Sequence, residues 1–188
     1  MARPREFDID TAVQAAVEVF RAHGFEGASA QMLVDAMGIG RQSLYDTFGD
    51  KWGVYLAAVK RYSQDEVRTH AELLTSRDRA IEGIRAMFDR VVAEADRACL
   101  GVSSTVEFGC GRPDLVKLRE ESGATLVRAV KAALALAREQ GDIAADLDMD
   151  SLAAFLIATI ASIRLAARGG AGPAQLSALV DLAMRALR

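Results

Sequence analysis

Apolar residues near the start of the chain recur every three to four positions, at Ile9, Val13, Ala16, Val19 and Phe20. That period predicts a helix with one apolar face. Gly24 supplies a left-handed stop, and Phe25 just beyond it can fold back on Phe20. Ser29 is placed to cap a short second helix whose Leu33, Val34 and Met37 face inward. Gly38 ends that helix and Gly40 opens the next. Asp50 can cap a longer fourth helix through Trp52, Tyr55, Leu56 and Val59.

The pattern continues past a polar stretch at 76–78. Ile81, Ile84, Met87, Phe88, Val91, Val92 and Ala95 trace another apolar face. Residues 99–109 hold a single charge, Glu107. The break at 110–113 ends in Pro113, which suits the first turn of a long helix running to about Gln140. After a loop comes a helix from about 150 to 168, a glycine-rich break at 169–172, and a last helix opened by Pro173. No run alternates with period two. The chain therefore reads as all-α, with about nine helices.

With 188 residues, 51% hydrophobic and 26% charged, the chain has ample material for a folded core. The formal net charge of −3 argues against general coating of nucleic acid but leaves a local patch open. Two cysteines, Cys99 and Cys110, are too few for a disulfide framework, so a reducing cytoplasm is the expected location. No apolar leader is visible at the N-terminus. The apolar run at 152–163 stops at Arg164, short of the roughly 20 residues that span a bilayer. A buried helix and no membrane partner are expected.

Three short helices within the first 50 residues, with a glycine turn between the second and third, match the helix-turn-helix plan. In that plan the second helix of the pair enters the major groove. The helix from Arg41 to Phe48 suits this role. Leu44 and Phe48, four apart, anchor one side. Arg41, Gln42, Ser43, Tyr45, Asp46 and Thr47 remain outside. Arg and Gln pair bidentately with base edges, while Ser and Thr reach bases or phosphates. Tyr45 and Lys51 suit phosphates. Asp46 is expected to point at solvent, with acceptance from a cytosine amine as the alternative. No acidic residue lies between Ala36 and Tyr45, so the patch is locally cationic. Arg3 and Arg5 sit on an arm that can reach a minor groove. Ser29 completes the DNA-binding set.

The stretch GFEGAS, followed by QMLVDAMGIGRQSLYDTFGDKWGVYLAAVKRY, resembles the DNA-binding domain of the TetR (tetracycline-repressor-like) family of transcriptional regulators. The resemblance runs from about Phe7 to Tyr62 and is sharpest at Leu44, Tyr45, Phe48 and Lys51. Gly40 departs from it, since Ser or Thr is common there. The resemblance implies a helix-turn-helix domain at 1–50 and a ligand-binding and dimerisation domain at 51–188. It also implies a symmetric homodimer on a palindrome-like double-stranded operator, with Tyr45 and Lys51 on phosphates. Release by a small-molecule effector is the family expectation.

Residues 151–163 are uncharged all round, and a helix apolar on every face needs cover on every face. A second copy is the expected cover. Ala154, Ala158, Ala161 and Arg164 would meet it, with Leu126 and Ala133 of the long preceding helix. An effector pocket is expected between Met87, Phe88, Val91 and Val92 and the segment from Leu100 to Phe108. Ser103, Ser104, Thr105 and Glu107 would be its polar anchors, and Phe108 and Phe155 would line it.

Were 99–110 one helix, its cysteines would lie roughly 16 Å apart, beyond the ~7 Å Cα limit of a disulfide. Buried, inert thiols are expected. His23 and His70 lack metal-ligand companions, so neither metal nor cofactor is predicted. The alternatives are an all-helical small-molecule-binding enzyme, a helical adaptor, or a thiol-based electrophile sensor on the same fold. No nucleophile–base pair is visible, so an enzyme is not expected.

Overall fold

The computed structural model describes residues 7–188. Nine helices and no strand occur among them: α1 (Ile9–Gly27), α2 (Ala30–Met37), α3 (Arg41–Phe48), α4 (Lys51–Leu74), α5 (Ala80–Ala93), α6 (Leu100–Phe108), α7 (Pro113–Glu139), α8 (Met149–Arg168) and α9 (Pro173–Arg185). Arg3 and Arg5 lie outside the described residues.

Local chemistry explains most boundaries. Asp8 caps α1 by accepting the Asp10 N–H. Ser29 Oγ caps α2 by accepting the Met32 N–H at 3.1 Å. Asp50 accepts the Gly53 N–H at 2.8 Å in the first turn of α4. Gly38, at φ 65°, ψ 28°, closes α2 in the left-handed region that glycine enters without a Cβ penalty. Gly24, at φ 68°, breaks the regular helix inside α1.

The chain divides into two compact units. The first comprises residues up to Gln64 together with Cys99–Leu115, so α6 belongs with the N-terminal helices. Its buried side chains include Val13, Val17 and Phe20 of α1, Leu33 of α2, Leu44 of α3, and Val54, Tyr55 and Val59 of α4. Phe20 and Phe25 stack with centroids 6.3 Å apart. Phe25 also meets Tyr55 and Trp52 edge-on at 5.1 and 5.4 Å. Phe108 of α6 joins the same group, 5.1 Å from Trp52.

The second unit comprises Asp65–Ala98 and Val116–Arg188. One apolar cluster fills it, drawn from Ile84, Met87, Phe88 and Val91 on α5, Val130 and Leu134 on α7, Leu156 and Ile163 on α8, and Val180 on α9. Gly83 permits α5 to start hard against the end of α4, because a Cβ there would lie 2.4 Å from the Leu74 carbonyl oxygen.

One face of α8 is buried through Leu152, Ala153, Leu156, Ile163 and Arg164. The other is open: Phe155 is 43% and Leu165 57% exposed. By length and composition α8 is apolar enough to cross a membrane, and only about a quarter of its residues are buried. The expectation of a buried helix therefore holds for one side only.

Candidate nucleic-acid interface

The α2–α3 turn is built from Gly38, Ile39 and Gly40. The Ile39 N–H returns to the Val34 carbonyl at 3.3 Å, and the Ile39 side chain is buried. That pins the start of α3 to the end of α2. Leu44 is 1% exposed and anchors α3 from beneath. Burying such a side chain stabilises by roughly 1.5–3 kcal/mol, enough to set which face of an eight-residue helix turns outward. Arg41, Gln42, Tyr45, Asp46 and Thr47 are exposed and Ser43 half-buried. Arg41 is the one cation on α3.

Asp46 has a more specific role than pointing at solvent. It accepts the Gln42 Nε2–H at 2.9 Å, one helical turn away. This fixes one amide hydrogen of Gln42 and holds the rest of the group toward solvent. Ser29 is exposed, with its oxygen engaged at the cap. Lys51 is half-buried, and its Nζ lies 4.4 Å from the centre of the Phe25 ring. It opens α4, whose N-terminal dipole also favours an anion.

Gly53, which the sequence reading passed over, sets the α3–α4 junction. A Cβ at this position would fall 1.9 Å from the Phe48 carbonyl oxygen. Its only sequence signal is a glycine inside an otherwise strong helical run.

The α6 segment braces this unit. Glu107 accepts the Phe25 and Glu26 N–H groups at 3.3 and 3.2 Å, beside the Gly24 break. Trp52 donates its Nε1–H to Asp114 at 2.6 Å, which holds the Asp114 carboxyl below the usual carboxylate range. Arg112 stacks over the Trp52 ring at 3.7 Å.

These contacts bear on the α6 half of the expected pocket. Glu107 and Phe108 are committed to the first unit, and the buried Ser104 donates to the Gly101 carbonyl at 2.8 Å. Ser103 is half-buried and Thr105 exposed. Met87, Phe88 and Val91 are fully buried in the core of the second unit, with Val92 packed against it. The α5 and α6 halves of the expected lining thus belong to different compact units.

Two expected interface residues are also corrected. Arg164 is 3% exposed and donates to the Glu94 carbonyl, because α8 turns it inward toward Glu66 and Glu94. Ala133 is buried in the same core, and Leu126 packs against it. Ala154, Ala158 and Ala161 are exposed. Cys110 is exposed and Cys99 half-buried, so the cysteines are not the buried pair expected. No group of three or more potential metal ligands occurs among the described residues.

The polar cluster of the second unit was not foreseen. Arg90 donates to Glu66 at 2.6 Å and lies 3.1 Å from Glu94. Burial pushes the Glu66 carboxyl up, but Arg90, with His70 and Arg164, outweighs this and leaves it below its usual range. Burial drives the His70 imidazole down to about 4, against the opposing pull of Glu66.

Known proteins share this architecture. A family model described as "Bacterial regulatory proteins, tetR family" matches residues 12–58. Another, "Tetracyclin repressor-like, C-terminal domain", matches residues 79–183. The chain is 33% identical to YezE, an HTH-type transcriptional regulator of Bacillus subtilis (strain 168), with 100% of both proteins covered. It is 25% identical to the HTH-type transcriptional repressor ComR of Escherichia coli (strain K12), covering 97% of this chain and 90% of that one. Among solved structures, a cysteine mutant of the TetR family transcriptional regulator CifR, complexed with 26-bp double-strand operator DNA, matches with a TM-score of 0.81. It is 32% identical over 99% of this chain and 100% of that chain.

Proposed function

The chain belongs to the tetR family of bacterial regulatory proteins, and from that premise we propose that it is a homodimeric repressor that a small molecule releases from a palindromic operator. The observation that carries this reading is α3, held by a buried Leu44 while Arg41, Gln42, Tyr45 and Thr47 stay exposed. A helix so anchored offers bidentate donors to base edges. The CifR relative complexed with operator DNA supports the same use of this surface. Arg41, Gln42, Ser43 and Thr47 address bases or the adjoining backbone, and Tyr45 and Lys51 address phosphates.

The open side of α8 supports dimerisation, which would place two copies of α3 about one turn of DNA, roughly 34–36 Å, or a multiple of it, apart. An effector that prefers another spacing shifts the equilibrium and lowers operator affinity. DNA contact then runs through the helices up to Lys51 at the start of α4, with effector and partner contact in the second unit, in a cytoplasmic protein.

The test is selection of bound duplexes from a random pool. A recovered palindrome with half-sites about one helical turn apart is the expected result. Binding that is equally strong to every duplex counts against the reading.

A second reading, thiol control on the same fold, is favoured by the exposed Cys110, which lies two residues before the Arg112 that stacks on Trp52. Alkylation with N-ethylmaleimide should then weaken operator binding in the parent chain and spare Cys110→Ser. Equal effects on both would remove it.

A further inference from the structure

Buried hydrogen-bonding groups almost always have partners, so an exception needs a reason. His70 of α4 is 3% exposed, and its Nδ1 has no hydrogen-bond partner among the described residues. The other ring nitrogen, Nε2, faces Glu66 Oε2 at 3.8 Å. A carboxylate on that side favours the tautomer protonated at Nε2, which leaves Nδ1 a bare acceptor.

The surroundings decide what kind of group can answer it. Arg90 of α5 and Arg164 of α8 face Glu66 and Glu94, with Arg164 Nη2 3.7 Å from each carboxylate. Two guanidiniums and two carboxylates balance, so an ion arriving here would find no net opposite charge. A neutral donor meets no such penalty. Along α5, Met87, Arg90, Val91 and Glu94 are three or four residues apart and share one face. Met87 and Val91 are fully buried in the apolar core. The polar cluster therefore adjoins an apolar wall on the same helix.

We propose that His70 is the polar anchor of a small-molecule site in the second unit, which takes a neutral, mainly apolar molecule through one hydroxyl or N–H donated to Nδ1. This rests on the reading of the chain as an effector-responsive regulator and names the chemistry of its effector. Glu66 orients the imidazole, Arg90 and Arg164 hold Glu66, and Met87 and Val91 supply apolar contact.

The test uses the full-length chain and two matched probe pairs, indole against 1-methylindole and phenol against anisole. Each pair differs in whether the donor is methylated. The donor-bearing member should bind at least about tenfold more tightly by calorimetry. It should also move the ¹⁵N resonance of His70 Nδ1. His70→Phe should abolish the preference, and His70→Asn, which keeps an acceptor, should retain it. Equal affinity within each pair, or no binding by any probe, overturns the site. So does an Nδ1 resonance that no probe moves, as a buried water held there would give. If His70→Phe does not fold, the parent chain and the resonance decide. Operator binding without probe is measured alongside. Its absence counts against the regulator reading, whereas intact operator binding with no donor preference counts against this site alone.

Discussion

The Glu107 carboxylate of α6 accepts the Phe25 N–H on one oxygen and the Glu26 N–H on the other, at 3.3 and 3.2 Å. Gly24 makes this possible, because its φ of 68° interrupts α1 and turns the next two N–H groups away from the helix. Glu107 is solvent-exposed, so water replaces part of what is lost on truncation. Glu107→Ala should therefore cost about 1 kcal/mol, or roughly 3 °C in melting temperature for a chain of this size. Glu107→Gln keeps one acceptor oxygen and should lose about half as much. A calorimetric scan that finds the alanine variant as stable as the parent would show that the brace contributes nothing.

Gly53 gives a sharper test, because the usual expectation has the opposite sign. An exposed Gly→Ala change inside a helix normally stabilises by about 1 kcal/mol. Here the added Cβ would lie 1.9 Å from the Phe48 carbonyl oxygen, a backbone atom that no rotamer change can move. The junction must open, which displaces the end of α3. Gly53→Ala should destabilise by about 2–3 kcal/mol and weaken operator binding more than about tenfold. Denaturant titration and a gel-shift series check both. A stabilised variant would contradict the geometry.

Burial holds the His70 imidazole down at about 4, from an ordinary 6.5. Between these values the unfolded chain takes up a proton that the folded chain refuses, so stability falls as pH drops. At pH 5 the His70 contribution should be about 2 kcal/mol less favourable than at pH 7. Glu66, held below its usual range chiefly by Arg90 against burial, adds stability that is present above its unfolded value and lost as pH falls further. His70→Phe should flatten the pH dependence between 7 and 5 while leaving the Glu66 loss at lower pH. Urea unfolding of both chains at pH 7 and pH 5 decides the matter, and identical slopes would refute the assignment.

Where the sequence was legible, the signals were local. Ser29 and Asp50 cap the helices they precede, and Gly24 and Gly38 adopt the positive φ that interrupts α1 and ends α2. The period of apolar residues marks helix faces, and Phe25 stacks on Phe20 five residues away. What the sequence did not show depends on residues far apart along the chain. Glu107 reads as a pocket anchor until α6 is seen against α1, more than 80 residues earlier. Arg164 reads as the charged end of an interface helix until α8 is rotated and the guanidinium points at Glu66 and Glu94. The Gln42–Asp46 pair is an exception, since its spacing of four is local and visible in the sequence.

The open side of α8 should be the dimer contact. Ala154, Ala158, Ala161 and Leu165 recur at intervals of three and four, so they form one exposed stripe, with Phe155 beside it. Small side chains let two helices approach closely, and Phe155 and Leu165 supply apolar area at either end of the contact. Placing a carboxylate mid-stripe brings two like charges together across a symmetric interface, since each copy presents the same patch. Ala158 is exposed in the single chain, so Ala158→Glu should leave the subunit folded while dissociating the pair. Sedimentation should then report a monomer at concentrations where the parent is a dimer. Operator affinity should fall by at least about a hundredfold, because two recognition helices no longer bind as one unit. A variant that remains dimeric, or a parent chain that sediments as a monomer, would place the partner surface elsewhere.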